Sequence, residues 1–390
     1  MNKQTIAVFF GGKSPEHDVS IVSAIASVIK PLKIIGHKVV PIYIAKNGNW
    51  YVGDELADIK TYQTGKVDEI IAKQKPVRVG FNDGLTIVPA GFRPQPIKID
   101  IAFPVMHGAY GEDGSLMGLL RMAGVPFVGS DMEASAVAMN KVLSKEVAES
   151  NGIPTPRYVS FLTTEFSADR KKCIKKVNDA LKYPVFVKPP HLGSSIGITK
   201  VKESAELENA LEVAAYYDDV ILVEEAVDNL IEITLPIIGN DELTLANVER
   251  PVQLTDEFFD FDSKYINGGK KGGGKKGGGK GKGGAQGYSE IPAKLPGDLY
   301  KQAEEVGKRV YRVVGLSGIS RIDMLIDSKA EKVYFNEINP MPGSLYAHNW
   351  ARAGISNVEL VSRLLDLAVE AYEKHELAKT TFETSYLKQF

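Results

Sequence analysis

The chain has 390 residues, 44% hydrophobic and 25% charged, with a single cysteine, Cys173. These fractions sit at globular averages and exclude a collagenous, coiled-coil or wholly disordered chain, while the length predicts two or three domains, each with its own core. The net charge of −2 hides an asymmetry: residues 268–287 hold 12 Gly and 6 Lys, and without them 41 basic residues face 49 acidic ones.

One cysteine excludes an intramolecular disulfide framework and fits a reducing compartment. The apolar run at residues 6–10 is too short for a signal peptide, and no stretch approaches the ~20 apolar residues of a spanning helix. A soluble, cytoplasmic protein with no membrane span is therefore expected.

Residues 6–10 read as a buried strand, followed by Gly11-Gly12 and then by helical spacing of Ile21, Val22, Ile25, Val28 and Ile29. Strands at 39–45 and 101–106 and helices at 115–122 and 132–148 complete a pattern that predicts a Rossmann-like parallel α/β sheet. The breaker cluster Gly152-Ile-Pro-Thr-Pro156 reads as a seam. Beyond it a small α+β region is expected, with a helix at 168–181, strands at 185–188, 197–201 and 220–224, and a helix at 205–215. From about 228 strands predominate, up to a terminal helix with a capping box at Ser356 and Glu359 and an apolar stripe of Val358, Val361, Leu364, Leu365 and Ala368.

The most informative stretch runs from Arg321 to Asn339. Two strand patterns flank Ser-Lys-Ala-Glu-Lys, which predicts a hairpin. Centring its turn on residue 330 sets Asp327 opposite Val333, Leu325 opposite Phe335, Asp323 opposite Glu337 and Arg321 opposite Asn339. Alternation then puts Arg321, Asp323, Glu337 and Asn339 on one face. Two opposed carboxylates repel unless positive charge lies between them, and an oxygen-only set suits Mg²⁺. The plainer reading is a solvated acidic hairpin with Arg321 as counter-ion; the following Pro340-Met-Pro-Gly343 loop favours the metal.

Val185-Phe-Val-Lys188 leads into the small-residue turn Gly193-Ser194-Ser195-Ile-Gly197. Such a turn exposes backbone N–H groups and hydroxyls that cradle phosphate, and Lys188 adds a point charge. It is not a Walker A loop: Gly12-Lys13-Ser14 has the right ending, but Ala7 stands where the first glycine is required. Glu16, between the first strand and helix, suits an ammonium group at the carboxyl edge of the sheet, or serves only the helix dipole. His107 and Glu112 follow another strand. The six histidines show no zinc spacing, and there is no nucleophile elbow.

In order, spacing and residue type, these blocks resemble the D-alanine–D-alanine ligase family, of ATP-grasp fold, over nearly the whole chain from Phe10-Gly-Gly-Lys-Ser-Pro-Glu-His-Asp-Val-Ser20 to Phe335-Asn-Glu-Ile-Asn-Pro340. The resemblance implies an N-terminal substrate-binding domain (1–139), a central lid domain (140–227) and a C-terminal antiparallel-sheet domain (228–390). It implies ATP as nucleotide, with Lys141, Lys188 and the loop Gly193–Gly197 on the phosphates, Glu224, Glu225, Ala226 and Val227 as adenine hinge and Glu232 on the ribose. Asp323, Glu337 and Asn339 would bind two Mg²⁺ (or Mn²⁺). Glu16 would hold the ammonium of the first of two D-alanines, with His107 and Glu112 nearby. Ser194 and Tyr265 would form a triad with Glu16, Lys264 would begin the ω-loop, and Arg321 would stabilise the oxyanion. A homodimer is implied as well.

Two departures stand out. Where the family reads Asn-Thr-x-Pro-Gly, this chain has Asn339-Pro-Met-Pro-Gly343-Ser344-Leu-Tyr-Ala-His348. Gly343, Ser344 and His348 are therefore the candidates on the side of the second substrate, which is D-alanine, D-serine or D-lactate. Lys264-Tyr265 is the dipeptide-forming version and favours D-alanine. The second departure is the Gly/Lys tract, which falls inside the expected ω-loop (262–292). Its composition predicts a coil spanning ~25 Å, read either as a tolerated insertion or as a basic tether for an anionic polymer or partner. No aromatics interleave with its lysines, so nucleic acid is not expected. A different class of function, a non-catalytic binder of anionic polymers acting through this tract, is opposed by the intact acidic and lysine sets.

Overall fold

A computed structural model of the chain describes residues 3–81, 84–91, 93–251, 289–378, 381 and 383–390; the Gly/Lys tract and the expected Lys264 and Tyr265 lie outside the described residues. The apolar run near the N-terminus forms the strand Thr5–Gly11, buried on both faces. It pairs in parallel with Lys38–Ile44 and Ile101–Pro104, while Trp50–Val52 adds an antiparallel edge. Parallel strands need helical crossovers, which cover both faces and explain the continuous apolar run. A separate three-stranded antiparallel sheet, Arg78–Gly80, Thr86–Val88 and Ile97–Lys98, lies between the second and third parallel strands in sequence.

The central unit is an antiparallel sheet in the order Thr199–Val201, Val185–Lys188, Val220–Glu225, Tyr158–Leu162. Its buried face packs on Cys173 and Val177 of the helix Arg170–Ala180 and on Leu207, Ala210, Leu211 and Ala214 of the helix Leu207–Tyr217. The third sheet runs Leu243–Leu245, Leu230–Gly239, Gly318–Asp327, Lys332–Asn339, all antiparallel. Against it lies a helix that the strand-rich reading of this region lacked, Leu299–Val313. Leu299, Ala303, Val306 and Val310 form its buried stripe, packed on Ile322, Met324 and Ile326.

Two boundaries differ informatively from sequence expectation. The long helix expected over 132–148 is two, Met132–Met139 and Lys141–Ser150, broken where Asn140 turns extended and its side chain accepts hydrogen bonds from the N–H groups of Val142 and Leu143. An asparagine is a strong N-cap because its side-chain oxygen satisfies these otherwise free donors. In the hairpin, Arg321 faces Asn339 and Asp323 faces Glu337 as expected, but Leu325 faces Tyr334 and Asp327 faces Lys332, not Phe335 and Val333. The turn is one residue shorter than a turn centred on residue 330 requires, and a β-bulge at Asn336 restores the register before Glu337. Such an extra residue is common beside active sites, where it re-aims a side chain. Here it turns both Asn336 and Glu337 towards the cleft.

The third sheet meets the N-terminal unit at Gly129-Ser130. Ser317 N–H donates to Ser130 Oγ at 3.1 Å and Ser317 Oγ to the Gly129 carbonyl at 3.2 Å. Gly318 has φ +68°, and a Cβ there would lie 2.9 Å from the Gly129 nitrogen. Left-handed backbone costs a non-glycine residue about 1–2 kcal/mol before any clash. Gly318→Ala should therefore lower the melting temperature by several degrees in a thermal unfolding scan, whereas Gly354→Ala, where a Cβ meets nothing within 4 Å, carries only the backbone cost.

Candidate active site

A cleft between the central and third sheets is lined by Lys141, Phe186, Lys188, Gly193, Ser195, Glu224 to Val227, Glu232, Asp323, Asn336 and Glu337. Most of the residues expected to hold a nucleotide and its metal thus converge from four segments far apart in sequence. Burial alternates along the first hairpin strand: Ile322, Met324 and Ile326 are buried against the helix Leu299–Val313, and Arg321, Asp323 and Leu325 face the other way.

The two opposed carboxylates have positive neighbours. Arg321 donates from Nε to Asp323 Oδ1 at 2.7 Å and from Nη2 to Oδ2 at 2.6 Å, and Asn339 Nδ2 adds a third bond to Oδ2 at 3.0 Å. Burial works against the Arg321 charge, but Asp323 outweighs it and keeps the guanidinium firmly protonated. Glu337 Oε2 lies 3.1 Å from Lys141 Nζ. The donor set, two carboxylates and an amide, fits a hard divalent cation.

The phosphate-type loop is fixed at successive points. His191 is gripped twice by Asp218, through its backbone N–H at 2.9 Å and its ring Nδ1 at 2.9 Å. Lys141 Nζ donates to the Leu192 carbonyl at 2.8 Å, and the Ser194 hydroxyl donates to Glu16 Oε1 in a short contact. Gly193 lies so close that a Cβ there would sit 3.3 Å from Glu16 Oε2. Ser194 and Ser195 have φ of 55° and 60°, strain of a kind that gathers at ligand-binding loops.

Beside Glu16 lie the two buried groups His107 and Glu112. His107 Nε2 is 3.1 Å from Ser23 Oγ, and burial lowers its pKa although Glu16 pulls the other way. Glu112 accepts from the N–H groups of Gly108 at 2.6 Å and Met341 at 3.2 Å. Burial and then the charge of Glu16 push it up to about 8 against those donors. Past Asn339, Ser344, Leu345 and Tyr346 all have φ near +52°. Ser344 N–H donates to Ser23 Oγ at 2.8 Å. The Tyr346 ring lies 5.1 Å from the Arg321 guanidinium, and His348 Nε2 lies 3.0 Å from the buried carboxylate of Glu249.

Of the expected hinge, Ala226 N–H donates to the Pro184 carbonyl at 3.0 Å and Glu225 accepts from the Lys182 N–H at 2.8 Å. The Glu224 side chain points elsewhere: it is 2% exposed and paired with both Lys188 and Lys145. Lys145, Asn336 and Asp218 were not singled out from the sequence. Lys145 had a usable signal, since it lies four residues after Lys141 and shares its helix face; Asn336 had none, because the bulge that turns it is not encoded in the alternation.

The N-terminal parallel sheet, the small central sheet and the cleft-facing hairpin define an enzyme of the ATP-grasp fold. Solved structures agree: the D-alanine-D-alanine ligase from Coxiella burnetii superposes with a TM-score of 0.77 at 25% identity, covering 97% of each chain. The VanG D-Ala:D-Ser ligase from Enterococcus faecalis gives 0.77 at 31%, covering 94% of this chain and all of that one. Family models described as D-ala D-ala ligase N-terminus and C-terminus match residues 5–130 and 147–366. The D-alanine–D-alanine ligase of Natranaerobius thermophilus is 35% identical, covering 99% of this chain and all of the relative. The chain belongs to the D-alanine–D-alanine ligase family, and membership implies use of ATP. Among the described residues no helix is long and apolar enough to cross a membrane.

Burial alone would raise the Glu224 carboxyl, but the Lys145 and Lys188 ammoniums outweigh it and hold it at about 2, against an ordinary 4.5. A depressed carboxylate contributes stability that is complete above about pH 4.5 and lost as pH falls towards 2, here worth about 3 kcal/mol. Glu224→Gln should therefore melt well below the parent at pH 7, with the gap closing towards pH 2–3.

Proposed function

We propose that the enzyme joins two D-alanine molecules at the expense of ATP, through a D-alanyl phosphate, to supply D-Ala-D-Ala for peptidoglycan precursors in the cytoplasm. The observation that carries this reading is the Ser194–Glu16 contact. It brings the Glu16 carboxylate directly against the loop Gly193–Gly197, which supports a reading in which Glu16 holds the substrate's ammonium beside the phosphoryl group to be transferred.

A carboxylate is a poor electrophile. Its oxygen attacks the γ-phosphorus, the bond to the β-phosphate bridging oxygen breaks, and ADP leaves. The amine of the second D-alanine, after losing a proton, attacks the acyl carbon, and inorganic phosphate departs as the amide forms. In this reading Lys141, Lys188 and the N–H groups of Gly193 to Gly197 hold phosphate oxygens, and Glu16 orients the first substrate by its ammonium. Arg321 faces the negative charge that grows on the carbonyl oxygen. Such preorganised charge is worth most in a site shielded from water. Asp323, Glu337 and Asn339 would hold Mg²⁺, which supplies charge neutralisation of the nucleotide's phosphates. No protein nucleophile is needed.

The likeness to a D-Ala:D-Ser ligase and the altered loop after Asn339 make D-serine the competing acceptor. ADP release should depend on D-alanine and on a divalent cation and stop with EDTA, with a product of two D-alanines by mass spectrometry. A D-Ala-D-Ser product at equal acceptor concentrations would reassign the second substrate, and absence of amino-acid-dependent ADP release would refute the ligase. Arg321→Met should lower kcat by about 10²–10³-fold, while circular dichroism shows an intact fold.

A further inference from the structure

Three charged groups meet at the floor of the cleft. Glu224 lies between Lys145, whose Nζ is 2.5 Å from Oε1, and Lys188, whose Nζ is in short contact with Oε2. The two lysines are not equivalent. The Lys145 side chain is 0% exposed and rises from the helix Lys141–Ser150, with the rings of Phe335 and Tyr158 at 5.9 and 6.0 Å from its ammonium. The Lys188 side chain is 12% exposed and lines the cleft at the mouth of the phosphate loop. Two ammoniums and one carboxylate leave one positive charge in excess.

A buried carboxylate stripped of its counter-ion is costly, because the charge is left without water or a partner. If Lys188 were the partner of Glu224 by itself, any phosphate that drew Lys188 away would have to meet that cost, and nucleotide affinity would fall accordingly. The geometry points to Lys145 as a positioning residue: it is the resident counter-ion of Glu224, and by pairing with that carboxylate it frees Lys188 to turn to a nucleotide's phosphates. This inference rests on the nucleotide reading above. It assigns to Lys145 no contact with substrate; the residue acts through Glu224 upon Lys188. Its place in the sequence supports the division of labour, because Asn140 starts the helix so that Lys141 reaches the Leu192 carbonyl while Lys145, one turn on, points to the floor.

The test is binding of the non-hydrolysable analogue AMPPNP with Mg²⁺, by calorimetry, to the full-length enzyme and three variants. Lys145→Met should bind at least tenfold more weakly than the parent, since Lys188 is then the lone partner of Glu224. Lys145→Met/Glu224→Gln should return to within about threefold, because no buried charge remains to hold Lys188 back. Glu224→Gln should bind at least as tightly as the parent. A purely structural role for Lys145 would lower the melting temperature without this pattern of loss and rescue. Parent-like binding by folded Lys145→Met, or a double variant no tighter than the single, overturns the inference and leaves the ligase reading intact. Should Lys145→Met fail to fold, binding more than about threefold weaker than the parent by either variant carrying Glu224→Gln overturns it, and binding within about threefold of the parent or tighter by both supports it. No binding of the analogue by the parent enzyme overturns the nucleotide reading and this inference together.

Discussion

Asp323 and Glu337 face each other across two adjacent strands, and like charges directly opposed on a sheet destabilise it unless cations intervene. Much of the cleft answers that constraint. Arg321 closes a bidentate pair on one carboxylate, and Lys141 reaches the other from a different part of the chain. The Asn140 cap matters because it fixes where that helix begins and therefore where Lys141 projects. A tract of negative charge on a hairpin thus becomes the organiser around which three segments assemble. Arg321 and Lys141 also bring positive charge to the same part of the cleft.

The phosphate-type loop joins this centre to the N-terminal unit. Its fastenings fall within four residues: Asp218 on His191, Lys141 on Leu192, Glu16 on Ser194. Each draws on a different element, so the loop is placed by the fold as a whole. The left-handed serines within it cost energy that these contacts must offset. These fastenings hold the entry and first half of a strained turn, and backbone N–H groups held in advance can stabilise charge without reorganisation.

The far side of Arg321 follows a different plan. Three successive left-handed residues, Ser344 to Tyr346, redirect the chain after the hairpin. Ser23 holds Ser344 from the N-terminal unit and is also the partner of His107. Beyond Tyr346, the buried carboxylate of Glu249 accepts from Asn349 at 2.9 Å and pairs with His348. Burial alone would raise that carboxyl; the hydrogen bonds of His348 and its neighbours hold it down. The departure from family sequence after Asn339 is thus matched by two polar clusters, one about Ser23 and one about Glu249.

The sequence by itself determined the parallel class of the N-terminal sheet, the four-residue face of the hairpin and the order of motifs along the chain. Those features are local: alternation fixes which side chains share a face of a strand, and Gly/Ser runs between strands mark turns. What it misjudged was also local but set by partners. The helix Leu299–Val313 has an apolar stripe that becomes decisive against the third sheet, and the hairpin's turn-end register slipped because a bulge at Asn336 corrects a shorter turn. Only the tertiary structure decided that Lys145 and Lys188 share Glu224, that Ser194 reaches Glu16, and that Asp218 grips His191. Electrostatic partnership between residues far apart in sequence depends on distance and burial, and neither quantity exists until the sheets have packed.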